Sequence, residues 1–185
     1  LLSFSLMMAV CVVSAIAVFT ERLESTLTRE SVSIIGADLI VRSSQPIRDE
    51  LYQHVISKKV SAVRSTEFSS VVFAGDDMHL ASIKAVEPGY PLRGALEVTR
   101  SPYSDDPSNV YEVNTIPAPD EVWVDARLFA LLNLSLGDVI AIGEHNFTVT
   151  NVLVKEPENR NLLTSGARAL INYADVDKTN VIQPG

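Results

Sequence analysis

The chain has 185 residues, is 46% hydrophobic, and carries 15 Lys and Arg against 23 Asp and Glu, for a formal net charge of -8. That acidic balance argues against nucleic acid as a partner, which needs clustered Lys and Arg. The aliphatic content argues against disorder. The single cysteine, Cys11, excludes an intrachain disulfide and a cysteine-built metal centre.

The apolar residues are unevenly spread. Sixteen of the first twenty positions are apolar, and 1–19 contain no charge. As a helix this run measures about 28 Å, close to the ~30 Å hydrocarbon core of a bilayer. Glu21 and Arg22 mark the water boundary. The remaining residues, about 165, have an ordinary soluble composition and suffice for one domain with a real core. Residues 1–20 are therefore assigned to a transmembrane helix. A cleaved secretory signal is the alternative, because Ala15-Ile16-Ala17 fits the cleavage pattern. Against it, a basic flank is missing and the apolar run is too long. The chain opens on Leu1, so it reads as an excerpt of something longer. Both readings put the rest outside the cytoplasm.

Residues 20–35 contain no Pro or Gly, and Leu23, Leu27 and Ile34 fall near one helical face, with Gly36 as terminator. This predicts a stalk helix over 21–36 that couples membrane motion to an outer domain. A surface helix packed on its own domain is the other reading.

The outer domain reads as α+β. A β-rich run occupies 37–42. Pro46 and the acidic pair Asp49 and Glu50 open a helix that Lys58 and Lys59 close, an order that complements the helix dipole. Ile47, Leu51 and Val55, with Ile56 adjoining, predict a buried stripe on it. Strands over 62–74 and 78–86 around Gly75-Asp76-Asp77 predict a hairpin. The stretch 90–119, rich in Pro, Ser, Asp and Asn, predicts an irregular insert with one strand at 96–99. Order returns with a strand at 122–124, Asp125 as N-cap, and a helix over 126–132. Strands follow at 139–142, 147–154 and 167–172, with an N-cap region at 173–175. The resulting division is 1–20, 21–36, a core in two halves over 37–89 and 120–185, and the insert 90–119.

Catalytic signals are missing. His54, His79 and His145 lie far apart with no metal-ligand spacing, so surface or satisfied histidines are expected. G-x-S-x-G, H-E-x-x-H and Walker A motifs are absent. Asp76-Asp77 and Asp105-Asp106 lack EF-hand spacing and read as solvated turns. No enzyme activity, cofactor or metal is expected in this chain.

Four stretches carry a resemblance: Gly36-Ala37-Asp38-Leu39-Ile40-Val41, Val86-Glu87-Pro88-Gly89-Tyr90-Pro91-Leu92-Arg93-Gly94, Val122-Trp123-Val124-Asp125-Ala126-Arg127-Leu128 and Leu134-Ser135-Leu136-Gly137-Asp138. With the apolar run before them, they resemble the first periplasmic domain of FtsX-like ABC transporter permeases. The likeness is to the YbbP-type group, whose outer domains are MacB-like periplasmic core domains. It implies a fragment of a permease of the bacterial inner membrane, with further spans and a separate cytoplasmic ABC-type ATPase subunit. It also implies a porter-like core with a sabre-like insert, and a role in transmitting ATP-driven motion to periplasmic lipid, lipoprotein or protein partners. A membrane-anchored or secreted binding module without a transport role is the alternative. Tyr90, Pro91, Leu92, Arg93 and Gly94 are the candidate partner surface, or else a structural turn in which Pro91 fixes φ and Gly94 permits an unusual backbone.

Overall fold

The computed structural model describes residues 3–4, 7–8, 13–22, 37–45, 47–102, 106–157 and 166–182. Residues 13–22 are helical, and the Thr20 hydroxyl donates back to the Ile16 carbonyl at 3.0 Å. Among the described residues no helix is long and apolar enough to cross a membrane. The run 1–20 is described only in part, and Leu23, Leu27 and Ile34 lie outside the described residues.

The described residues form eight strands: β1 (Ser65–Ala74), β2 (Asp77–Val86), β3 (Leu96–Thr99), β4 (Val110–Val113), β5 (Glu121–Asp125), β6 (Val139–Ile142), β7 (His145–Lys155) and β8 (Ala167–Asn172). Helices α1 (Asp49–Ser57), α2 (Ala126–Leu131) and α3 (Val176–Thr179) accompany them. The sheet order is β4-β3-β7-β5-β8-β2-β1-β6, and β6 also pairs with β7. Six strands therefore close into a ring, and β3 with β4 branches from it. The length of β7 permits the branch. One edge of β7 pairs with β5, while on the other His145 to Thr148 pair with β6 and Val152 to Lys155 with β3.

The ring is filled by side chains, as expected of so few strands. Val72, Ile83, Val122, Val124, Ile140, Ile142, Phe147, Val149 and Ile171 are buried inside it. Alanines face each other where β2 meets β8, with Ala81 paired to Ala167, and leave room for α2, which packs on β2, β5, β7 and β8. A bulge keeps β7 in phase with both cores. The β5–β7 register shifts at Val122/Trp123, so Phe147, Val149 and Val152 all turn inward while Leu153 turns outward. Leu153 joins a second cluster on the outer face with Val86, Tyr90, Leu96, Val98, Trp123 and Leu170. The bulged Thr150 accepts a hydrogen bond from Trp123 Nε1 at 3.1 Å.

The α+β class and the hairpin are as the sequence predicts. The hairpin turn is Gly75-Asp76, with Gly75 at φ +59°, and Asp77 already pairs with Ala74. Asp125 caps α2 by accepting from the Leu128 amide at 2.8 Å.

Four expectations need correction. The run 37–42 is not a strand, and Leu39, Ile40 and Val41 are exposed; β-propensity acts through pairing with neighbours, and among the described residues no strand of the sheet pairs with this segment. Helix α1 forms, but its stripe is not buried: Ile47, Leu51 and Ile56 are exposed and Val55 is half-buried. The helix is held through Asp49 and Tyr52 instead. The stretch 90–119 contributes β4 and a 3-10 turn (Pro107–Asn109) as well as β3; four residues are too few to show a period. Strand β7 starts two residues early, because Gly143-Glu144 alone makes the turn. Asp175, within the expected 173–175, takes the N-cap position of α3 but its side chain makes no capping bond; the capping bond is made one turn earlier by Asn172, which accepts from the Ala174 amide at 3.0 Å.

Candidate functional site

Among the described residues, titratable side chains gather at three places. At the base of the hairpin, where β1 begins and β2 ends, Glu87 accepts from Arg64 Nε at 2.7 Å and from the Tyr52 hydroxyl at 3.0 Å. Arg64 also reaches Asp49 at 2.9 Å and lies over the Tyr52 ring at 4.6 Å. Burial pushes the Glu87 carboxyl up, but hydrogen bonds from Arg64 and Tyr52 outweigh it and hold the group below its ordinary range. Burial, then the bond to Glu87, pushes the Tyr52 phenol up. This cluster fastens α1 to the ring.

The second cluster surrounds Tyr90. Its hydroxyl accepts from Lys84 Nζ at 2.8 Å and donates to Glu156 Oε1 at 2.9 Å. Glu156, itself buried, also pairs with Lys84 at 2.8 Å and Arg168 at 3.3 Å. One carboxylate thus satisfies two cations and a phenol, and binds β2 to β8 across the outer core. The Tyr90–Pro91 peptide is cis.

The third cluster closes a strap, the 3-10 turn Tyr173–Asp175 with α3, onto the ring. Asp120 Oδ1 receives Lys178 Nζ at 2.6 Å and faces His145 Nε2 at 2.7 Å. Lys178 also pairs with the buried Asp175 at 2.8 Å, and Asp175 Oδ2 accepts from the Asp120 amide at 2.9 Å. Hydrogen bonds from Lys178, then His145, hold the Asp120 carboxyl below its ordinary range. The bonds to Asp120, then Asp175, push the Lys178 ammonium up. Asp120, His145 and Asp175 offer ligand atoms within 4.8 Å of one another. The Lys178 ammonium already supplies the cation there, and a metal ion would have to displace it. Gly143 (φ +62°) completes the closure: a Cβ there would overlap the Thr179 carbonyl oxygen, and the Glu144 amide donates to that same oxygen at 2.9 Å.

Among the described residues, all three clusters tie separate elements together. Of the residues singled out by sequence, Tyr90 is buried in the second cluster, Pro91 and Leu92 are half-buried, and Arg93 and Gly94 are exposed. Arg93 makes a forked pair with Asp38 at 2.9 and 3.2 Å, and Gly94 has φ +79°. The histidine expectation holds at His145, which Asp120 satisfies. The cluster was missed because its members lie 25 and 30 residues apart in the chain. A further feature was missed on the hairpin: Val71, Phe73, Met78 and Leu80 point outward and are exposed. The uninterrupted apolar run Val71-Val72-Phe73-Ala74 was its signal.

No protein-family profile matches the chain. Over 182 residues, 98% of its length, it is 31% identical to the "uncharacterized ABC transporter permease YbbP" of Escherichia coli (strain K12), of which it spans 21%. The resemblance to YbbP-type permeases read from the sequence is thereby borne out. Among solved structures it is similar to the extracellular domain of the noncanonic ABC-type transporter YknZ from Gram-positive bacteria, with TM-score 0.49, 12% identity, and coverage of 72% of this chain and 66% of that one. It is also similar to the periplasmic region of MacB from Actinobacillus actinomycetemcomitans, with TM-score 0.39, 16% identity, and coverage of 66% and 51%.

Proposed function

We propose, this chain being a homologue of part of an ABC transporter permease of the YbbP type, that it forms a membrane-spanning helix and a periplasmic domain of such a permease. The observation that carries the reading is the continuity of the likeness: 182 aligned residues take in the apolar run and the outer domain together. Two features support it. Val13, Ile16, Val18 and Phe19 are more than half exposed, so the domain does not cover them and hydrocarbon would. The three clusters described above are occupied in holding the fold, which suits a mechanical part rather than a reactive one.

In this reading a separate cytoplasmic subunit hydrolyses ATP in the inner membrane assembly. Residues 21–36 act as the stalk, and the domain passes the motion to lipid, lipoprotein or protein outside. The ring is the porter-like core, and the segment bearing β3 and β4 is the sabre-like insert. The test is proline at Ser25 or Thr28 in the full-length permease with its ATPase. Proline inside a helix costs about 3 kcal/mol. The expected result is a folded domain and retained basal ATP hydrolysis with loss of the transport-linked phenotype. A phenotype that survives both substitutions contradicts the relay.

A further inference from the structure

A strand face turned to water is ordinarily polar. The outer face of the β1–β2 hairpin follows this near its base, with Ser65, Glu67 and Ser69 on β1 and Ser82 on β2; Ser82 Oγ donates to Glu67 Oε1 at 3.1 Å. Toward the tip the face changes character. Val71 stands opposite Leu80 and Phe73 opposite Met78. These four are 37%, 61%, 44% and 67% exposed, and Val139 of β6 adds another exposed apolar side chain beside them. At the same end an open hollow of about 330 Å³ is lined by Ala74, Gly75, Leu134 and Val139, together with Asp77 and with Asp138, one of whose carboxylate oxygens accepts from the Ser135 amide at 2.7 Å. Asp76, in the turn, is exposed as well.

We propose that the hairpin tip is a docking surface for a protein that presents an apolar patch edged by Lys or Arg, with one of those cations entering the hollow between Asp77 and Asp138. Uncovered apolar side chains in directly opposed pairs mark a contact surface, and the carboxylates beside them set the sign of the partner's rim. A second copy of this chain fits poorly, because pairing the two tips would set Asp76 and Asp77 against their own counterparts on chains of net charge -8. A lipid surface fits poorly too. On the reading that the apolar run spans the membrane, the chain enters the sheet through α1, which Asp49 and Tyr52 fasten to the hairpin base. The tip stands ten residues of strand, about 30 Å, beyond that base, and its carboxylates repel anionic headgroups.

The test places a benzophenone amino acid in the full-length permease in living cells. The positions are Phe73 and Met78 at the tip, Glu67 on the polar half of the same face, and Met8 in the apolar run. Irradiation is expected to give a protein adduct from Phe73 and Met78 but not from Glu67. Joint substitution Asp76→Lys and Asp77→Lys is expected to reduce that adduct about tenfold at unchanged permease level. Leu80→Ser is expected to reduce it likewise with an unchanged unfolding midpoint, since that side chain is not part of the core. A permease-to-permease adduct, a lipid adduct, a yield no higher than from Glu67, or an adduct indifferent to charge reversal each overturns the proposal. A lipid adduct from Met8 is expected independently. Its absence would overturn the membrane reading and leave a charge-dependent protein adduct at the tip standing.

Discussion

Replacing Tyr90 by Phe removes one hydroxyl and leaves the ring that packs against Leu96, Val98 and Trp123 in the outer core. The lost oxygen lies 2.8 Å from Lys84 Nζ and 2.9 Å from Glu156 Oε1. Hydrogen bonds to charged groups contribute about 1.5–3 kcal/mol. Neither charge is orphaned, however, because Lys84 and Glu156 keep each other at 2.8 Å. The expected cost is therefore near the lower end, about 1–2 kcal/mol. Glu156→Ala is more severe, since it strips Lys84 and Arg168 of a shared partner. Breaking a buried pair from one side costs about 3–5 kcal/mol. Water can reach both cations, whose side chains are 15% and 18% exposed, so about 2–4 kcal/mol is expected. The two changes share a bond, so the double variant should fall short of their sum by about 1 kcal/mol. The assay is urea unfolding of the full chain in detergent, followed by the fluorescence of Trp123, the one tryptophan and a member of the same cluster. A constant slope m licenses the comparison. A Tyr90→Phe cost below about 0.5 kcal/mol, or strict additivity, would refute the network argument.

Gly143→Ala should destabilise by about 2–4 kcal/mol, combining overpacking against Thr179 with strain at positive φ. Gly75→Ala, at φ +59° with open space around it, should cost only about 1–2 kcal/mol; equal midpoints for the two would contradict the strap closure. Removing the α2 cap by Asp125→Ala should cost about 1 kcal/mol in the same assay. The carboxyls of Glu87 and Asp120 are held below their ordinary ranges in the folded chain, so their stabilisation is present above about pH 4 and is lost as pH falls through the lowered native values. A pH series of unfolding midpoints should decline below about pH 4, with a smaller decline in Glu87→Gln; a flat acid limb would contradict it.

What the sequence made legible was local. The strand–turn–strand pattern of β1 and β2, the Gly75 turn and the Asp125 cap each depend on residues within a few positions, and the structure has all three. Ring closure was not legible, because β6 meets β1 and β7 through short pairings that join residues about seventy positions apart in one case and few in the other. The α1 stripe shows the opposite limit. Ile47, Leu51 and Val55 have the right period for burial, but period says only that a helix has an apolar face, not that its own chain covers it. Tyr90 illustrates a third case: its partner Glu156 lies 66 residues away, so no spacing rule could pair them.

Placement outside the cytoplasm underlies the whole account, and one labelling experiment measures it directly. In the full-length permease with Cys11 and every other native cysteine replaced by serine, a cysteine introduced for Asp76 at the exposed hairpin turn is challenged in intact cells with a maleimide that crosses the outer membrane but not the inner one. The account predicts labelling of whole cells equal to that of opened cells. Labelling that appears only after the inner membrane is opened would contradict it.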